Sequence, residues 1–457
     1  MRALAELLAD LGWTLTGSDQ SELETALHIV GRQLRFHLGH AASHVAPETD
    51  VLIFSPAVTE SNPERATARQ LGIPQLSYSQ FLGELMRQRT GIAVAGTHGK
   101  TTTTAMLATL LRECGLSPSA AIGGEVVQYN RSGWGGDGPF FVAESCEYRR
   151  HFLDHSPKFA TILGIEPDHF DCFPNWESQL EAFLEFAARV PPDGVLVIPA
   201  ESEGAATAVL SSEAGIETTR VECVPFPHGD ERPRIANWLA RDVRKTQNGF
   251  RFRVDHNGTP FCETALAVPG RHNLENAITA IALAHAAGAA ADSIAKALPK
   301  FEGVRRRFEV LRSVGGGVII DDYAHHPTAI RATLKTAREQ FGERRLLVAF
   351  QPHQISRTRE LMRDFAGSFA EADELFLVPI FAARESSDRG SVTLAELAGR
   401  VSDSGVSVRR LASLDRLKPT LDHAARPDDV VLILGAGNIS RIAHELSAGR
   451  IPGHHTG

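Results

Sequence analysis

The run Gly96-Thr97-His98-Gly99-Lys100-Thr101 combines residue types that together can hold a phosphate. Glycines allow the close backbone approach and the positive φ angles that a Cβ would obstruct. Amides at a helix start point their N–H groups at an anion, Lys100 adds a point charge for the outer phosphates, and Thr101 offers a hydroxyl to magnesium. The common nucleotide loop holds four residues between its glycines, whereas this one holds two. An apolar strand, Gly91 to Ala95, runs into the loop and a helical stretch to about Cys114 leaves it, which is the order that phosphate binding requires.

The elements around this loop alternate strand and helix, the signature of open α/β sheets. Before it, Leu4, Leu7, Leu8 and Leu11 recur at helical spacing, and Val51 to Phe54 reads as a strand ending in Ser55-Pro56-Ala57. After it, Phe140 to Ala143, Phe159 to Leu163 and Gly194 to Ile198 are strand candidates, and Leu180 to Val190 is helical. The stretch from Glu201 to Asn257 reads as strands and loops. One long helix is expected from His272 to Leu298, with Phe301 to Gly303 as a hinge. The last third alternates again: Gly317 to Asp321 (strand), Pro327 to Phe341 (helix), Arg345 to Phe350 (strand), Arg357 to Phe369 (helix), then strands at Leu375 to Val378 and Val430 to Leu434.

Composition narrows the partners. A length of 457 residues implies roughly three cores at about 150 residues each. The net charge of -8, from 55 acidic and 47 basic residues spread along the chain, offers no stripe for nucleic acid. Five scattered cysteines without a C-x-x-C pair point away from zinc ribbons and disulfide frameworks and towards a reducing, cytoplasmic compartment. Residues 1 to 13 lack the basic opening and cleavage pattern of a signal peptide, and the alanine-rich 277–298 stretch, interrupted by Thr279, His285 and Asp292, reads as a buried helix rather than a membrane span.

The shortened loop Ala95 to Thr104 (AGTHGKTTTT) resembles the ATP loop of the Mur ligases. Further stretches follow in that family's order: Ala143 to Glu147 (AESCE), Ile165 to His169 (IEPDH), Pro269 to Asn276 (PGRHNLEN) and Gly303 to Glu309 (GVRRRFE). Asp321 to Thr328 (DDYAHHPT), Phe350 to His353 (FQPH) with Ser356 to Arg359, and Gly435 to Ile439 resemble the alanine-adding branch. The resemblance implies an α/β, three-domain architecture. An incomplete Rossmann-like UDP-sugar domain would occupy residues 1–88, a central P-loop ATPase-like domain 89–300, and a C-terminal Rossmann-like ligase domain 301–457.

The implied activity joins L-alanine to the lactyl carboxylate of UDP-N-acetylmuramate, with ATP and Mg2+, through an acyl phosphate in peptidoglycan precursor synthesis. The implied partners are these small molecules, with no nucleic acid, no membrane span, and a monomer or homodimer. Carried over residue by residue, Lys100, Glu147, His169 and Arg307 are the catalytic set, and Thr101, Glu147 and His169 the magnesium set. Gly96, Thr97, His98, Gly99, Lys100, Thr101, Thr102, His272, Asn273, Asn276, Arg307 and Asp322 would meet ATP. Ser18, Asp19, Ser55, Tyr323, His325, His353 and Arg357 would meet substrate, with His40 a further uridine-side candidate. Each has a plainer reading: Glu147 as a solvated carboxylate, His169 as a capping or core histidine, Asn273 as an N-cap, Ser18 and Ser55 as turn residues.

The chain also departs from the family pattern. The first strand and its glycine loop are missing, so either the natural protein begins upstream of Met1 or this copy binds UDP poorly. Cys146 stands where an aspartate is expected, Gly164 where an asparagine is, and Gln354-Ile355 where an arginine and an aromatic are, which opens selectivity to glycine or serine. Alternatives are a recycling ligase that attaches an intact peptide to UDP-N-acetylmuramate, and a nucleotide-binding relative or switch that ligates nothing.

Overall fold

Short β-branched and leucine-rich runs between amphipathic helices give sheets that must be covered on both faces. The computed structural model describes residues 1–21, 33–199, 217–223, 237–314, 317–383, 385 and 393–448. Much of the polar region after Glu201, expected as strands and loops, lies outside the described residues; within it Glu217–Cys223 and Trp238–Lys245 are strands.

A ten-stranded sheet forms the centre. The loop strand, Thr90–Ala95, lies between Phe140–Glu144 and Phe159–Ile162, parallel to both. Val195–Pro199 and Glu217–Cys223 extend the parallel part, and Trp238–Lys245, Phe250–His256 and Thr259–Leu266 finish that side as an antiparallel meander. Helices Lys100–Glu113 and Arg271–Ala286 cover one face, burying Met106, Leu110, Ile278 and Ile281 against Ile92 and Val94. The helix expected to run to Leu298 ends at Ala286, because Gly288 takes a left-handed φ of 91°, and resumes as Ala291–Ala297. No described helix is long and apolar enough to cross a membrane.

The C-terminal sheet has six strands. Gly317–Asp322, Val430–Leu434, Leu346–Phe350, Glu374–Leu377 and Ser407–Arg410 are parallel, and Glu309–Val314 pairs antiparallel at one edge. The helix expected over 357–369 is two short ones, Ile355–Glu360 and Met362–Ala366, meeting at Leu361. The hinge is laced to the central sheet: the Val127 amide donates to Gly303 O, and the Arg305 amide donates to Glu125 O.

The N-terminal part holds two separate parallel pairs, Leu15–Asp19 with Leu34–Leu38 and Leu52–Phe54 with Gln75–Ser77. The first helix, Arg2–Asp10, packs on the rim of the central sheet and, through Ala9, against Leu34 of the first pair. There the buried Glu6 carboxylate accepts the edge amides of Ser132 at 2.8 Å and Gly133 at 3.1 Å, and Arg2 donates to it from one turn earlier. Gly133 is required at this contact, since a Cβ would lie 2.1 Å from Ala3 O.

Glu6→Ala strands two edge amides in a buried place, and the loss is expected to be on the order of 2 kcal/mol. The urea midpoint of the first unfolding transition should fall accordingly; an unchanged midpoint would show that the helix does not close this rim.

Candidate active site

The loop at the end of Thr90–Ala95 is shaped by two glycines in left-handed backbone, Gly96 (φ 125°) and Gly99 (φ 78°). A Cβ on Gly96 would lie 2.8 Å from Leu163 N, and one on Gly99 would lie 2.6 Å from Asn276 Oδ1. The second contact matters most, because it seats the start of helix Arg271–Ala286 against the loop. Asn276 in turn donates to Asn273 Oδ1 (3.2 Å), and Asn273 donates to Pro269 O (2.7 Å). Burial, with Arg307 and His98 nearby, pushes the His272 imidazole down to about 4, so it is neutral at the loop's flank. Thr97 fastens the other side, its hydroxyl accepting from the Glu166 amide at 2.9 Å.

Lys100 lies across the mouth of the loop. Its ammonium donates to the carbonyls of Gly96 and Thr97 and to both oxygens of Glu147, at 3.1 and 2.9 Å. Burial opposes the charge on Glu147, but Lys100 and His169 outweigh it and hold the carboxyl at about 2. His169 Nε2 stands 3.6 Å from Glu147 Oε1, while its buried Nδ1 has no hydrogen-bond partner.

Sequence reasoning missed Glu144. It ends Phe140–Glu144, the strand beside the loop strand; there it accepts from the Thr101 hydroxyl at 3.2 Å and from the Gly123 amide at 2.9 Å. The signal was an acidic residue at the carboxyl end of a neighbouring parallel strand, where open α/β sheets place ligands. Thr101, Glu144 and Glu147 supply oxygen donors of the kind hard divalent cations take, and His169 brings an unpartnered nitrogen; the donor set fits magnesium.

The C-terminal part completes the site. Arg307 Nη2 donates to Thr101 Oγ1 at 3.2 Å, and its guanidinium lies 4.7 Å from the Tyr323 ring centroid. Asp322 is buried and occupied by backbone, accepting from Phe308 N at 2.6 Å and Ala324 N at 2.7 Å. It thereby shapes the turn in which Arg306 and Phe308 have positive φ. Burial raises its carboxyl above the ordinary range despite Arg307 and these amides.

Arg357 makes the main buried bridge between the central and C-terminal parts. Its Nε donates to Asp168 Oδ1 at 2.7 Å, and Nη1 donates to His353 O at 3.1 Å. Burial works against Asp168, yet the Arg357 charge keeps its carboxyl well below the usual range. His325, whose ring contacts Tyr323 O, is held far down by burial, and His353, stacked on Phe381, falls to about 4 for the same reason. Tyr323, His325, His353 and Arg357 thus form one patch facing the 165–169 turn.

The uridine-side candidates lie in the N-terminal part, apart from this cluster. Ser18 donates to Glu64 Oε2 (2.7 Å) and contacts His40 Nδ1 (3.0 Å), while His44 meets the other Glu64 oxygen. Asp19 accepts from the Ser21 amide, and Ser55 from the Ala57 amide, each within its own turn. Glu64 was not foreseen; its role as hub depends on tertiary placement. The four cysteines whose side chains are described are free.

With this geometry in view, comparison with known proteins is informative. Residues 1–90 match the description Mur ligase family, catalytic domain, residues 94–284 the Mur ligase middle domain, and residues 306–437 the Mur ligase glutamate ligase domain. The chain is 38% identical over 447 residues to a UDP-N-acetylmuramate--L-alanine ligase of Desulfitobacterium hafniense, covering 98% of this chain and 96% of that one. It is 39% identical over 448 residues to a protein of the same name from Acidithiobacillus ferrooxidans, covering 97% and 94%. Among solved structures, the UDP-N-acetylmuramate-alanine ligase of Thermotoga maritima superposes with a TM-score of 0.78 at 26% identity, covering 98% and 95%. A murein peptide ligase of Psychrobacter arcticus gives 0.71 at 25% identity, with the same coverage. Phosphate loop, buried acid pair and hinge arginine therefore sit in a chain matched along nearly its whole length, and that chain belongs to the Mur ligase family.

Proposed function

We propose that the protein joins L-alanine to the lactyl carboxylate of UDP-N-acetylmuramate at the expense of ATP. The observation that carries this reading is that Lys100 pairs with Glu147 while Arg307 from the hinge reaches the adjacent Thr101, so that two structural parts meet at the phosphate loop. The identity of the alanine-adding relatives over nearly the full chain supports the choice of substrates.

A carboxylate is a poor electrophile, so it is activated first. Its oxygen attacks the terminal phosphorus of ATP, the bond to the ADP oxygen breaks, and an acyl phosphate forms. The alanine amine then attacks the acyl carbon, loses a proton, and inorganic phosphate departs. Charge on the transferred group is the main obstacle, and preorganised cations lower it. Lys100 serves from the loop and Arg307 from the hinge. Thr101, Glu144, Glu147 and His169 would hold magnesium, which neutralises phosphate charge and orients the oxygens. The half-buried, neutral patch of His325 and His353 beside the buried Arg357 gives the amine and its carboxylate a shielded place. Exclusion of water there protects the acyl phosphate from hydrolysis.

Phosphate release with ATP and magnesium should depend on UDP-N-acetylmuramate and on alanine; release that responds to a tripeptide and not to alanine would favour peptide addition, and release needing neither would refute ligation. Lys100→Ala should cut ADP formation by about a hundredfold or more with the fold retained by circular dichroism. Arg307→Ala should lower kcat by a similar factor of about 10² while ATP binding by the central part changes far less; an unaltered kcat would remove the hinge from the reaction.

A further inference from the structure

Beside the reaction centre, and sharing the loop residue His98 with it, lies a second cluster. His98 from the phosphate loop, Glu166 from the turn after Phe159–Ile162, and His326 from the start of helix Pro327–Phe341 bring their ligand atoms within 4.8 Å of one another. His98 Nε2 lies 3.4 Å and His326 Nδ1 3.6 Å from the same oxygen, Glu166 Oε2. The two rings are 4.7 Å apart.

Hydrogen-bond bookkeeping around His326 limits what this cluster can be. Its Nε2 faces Pro167 O at 3.3 Å, and a carbonyl only accepts, so Nε2 carries the proton. Nδ1 is then an acceptor, capping the helix by a long bond from the Thr328 amide at 3.4 Å and turned also to a carboxylate oxygen. Burial pushes the ring down to about 4, so no second proton is present at neutral pH. Burial opposes the charge on Glu166, but the hydrogen bond and attraction of His98, with Thr328 and His326, hold its carboxyl at about 2, and among the described residues its ion-pair partners are these two imidazoles. The Thr328 hydroxyl donates to Oε2 at 2.7 Å. The bare side of His326 Nδ1, the His98 Nε2 atom and the Glu166 carboxylate therefore converge on one gap.

From this geometry we infer that His98, Glu166 and His326 form a zinc-class divalent metal site that ties the phosphate loop to the C-terminal part. A tetrahedral metal with bonds of 2.0–2.1 Å separates its ligand atoms by about 3.3 Å, close to the two separations found. Two imidazoles with one carboxylate suit zinc or cobalt far better than magnesium, which takes oxygen ligands. The proton on His326 Nε2, given to a backbone carbonyl, is the outer bond that metal-bound histidines make to fix their tautomer. A fourth position stays open to water. Since the ligands come from both sides of the hinge, the metal holds the site shut, and zinc slows the opening that releases products. This inference does not rest on the ligase reading, because binding is read without turnover.

The test is titration of the metal-free, full-length protein with cobalt(II) as the probe, in excess magnesium so that the Thr101 and Glu147 centre is competed. About one equivalent should give the visible absorption of four- or five-coordinate cobalt, and zinc should displace it. His326→Ala should weaken binding about tenfold or more. Glu166→Gln, which keeps the side-chain shape and the bond from Thr328, should do the same and guards against misfolding of the first variant. Cys146→Ser should leave the spectrum unchanged. Absence of a visible band, a band insensitive to both variants, or a thiolate-to-cobalt band lost in Cys146→Ser would overturn the assignment.

Discussion

The buried ion pair between Asp168 and Arg357 is the constraint on which the site depends. Two charges removed from water are costly unless each finds the other in good geometry, and breaking such a pair leaves one of them stranded. Here one partner belongs to the central sheet's 165–169 turn and the other to a C-terminal helix. The pair therefore exists only when the two parts are docked. The same docking sets Arg307 on Thr101 and aligns the Tyr323, His325 and His353 patch with the turn that carries His169. Electrostatics, rather than a broad apolar interface, decides the relative position of these parts at the site.

Within the central part, a similar logic governs the loop. Lys100 and Glu147 neutralise each other while both are out of water, so neither costs the fold an unpaired charge. Each is nonetheless available to something of opposite sign that enters the mouth. Glu144 adds a second carboxylate tied to Thr101 and to the Gly123 amide, which keeps the hydroxyl oriented. Fixed dipoles and paired charges prepared in advance lower the reorganisation that a phosphoryl transfer would otherwise require.

What was legible in the sequence was local. The phosphate loop is a contiguous run between a strand and a helix, so spacing alone located it, and the order of the later motifs placed the hinge arginine. The alanine-rich stretch after His272 hid its break at Gly288, since alanine is at home on both sides of a helix end. Glu64 works through neighbours distant in sequence, and no local pattern marks it, whereas Glu144 sits within the 143–147 motif but gains its role only where its strand lies beside the loop strand. Arg357 was grouped with substrate contacts from its motif; its partner Asp168 lies 189 residues away, a relation that only the folded chain reveals.

The fastening of helix Arg2–Asp10 to the central sheet has a consequence for association between molecules. An outermost strand with open amides is a template on which another chain can add its own. Along Arg131–Trp134 that template is capped: Glu6 takes two of the amides, Asp10 takes that of Gly135, and the helix backbone leans on Gly133. A neighbouring copy finds no row of donors there to zip onto. At this border an assembly has only side-chain surfaces to build from, and crowding during synthesis is not met there by runaway strand addition.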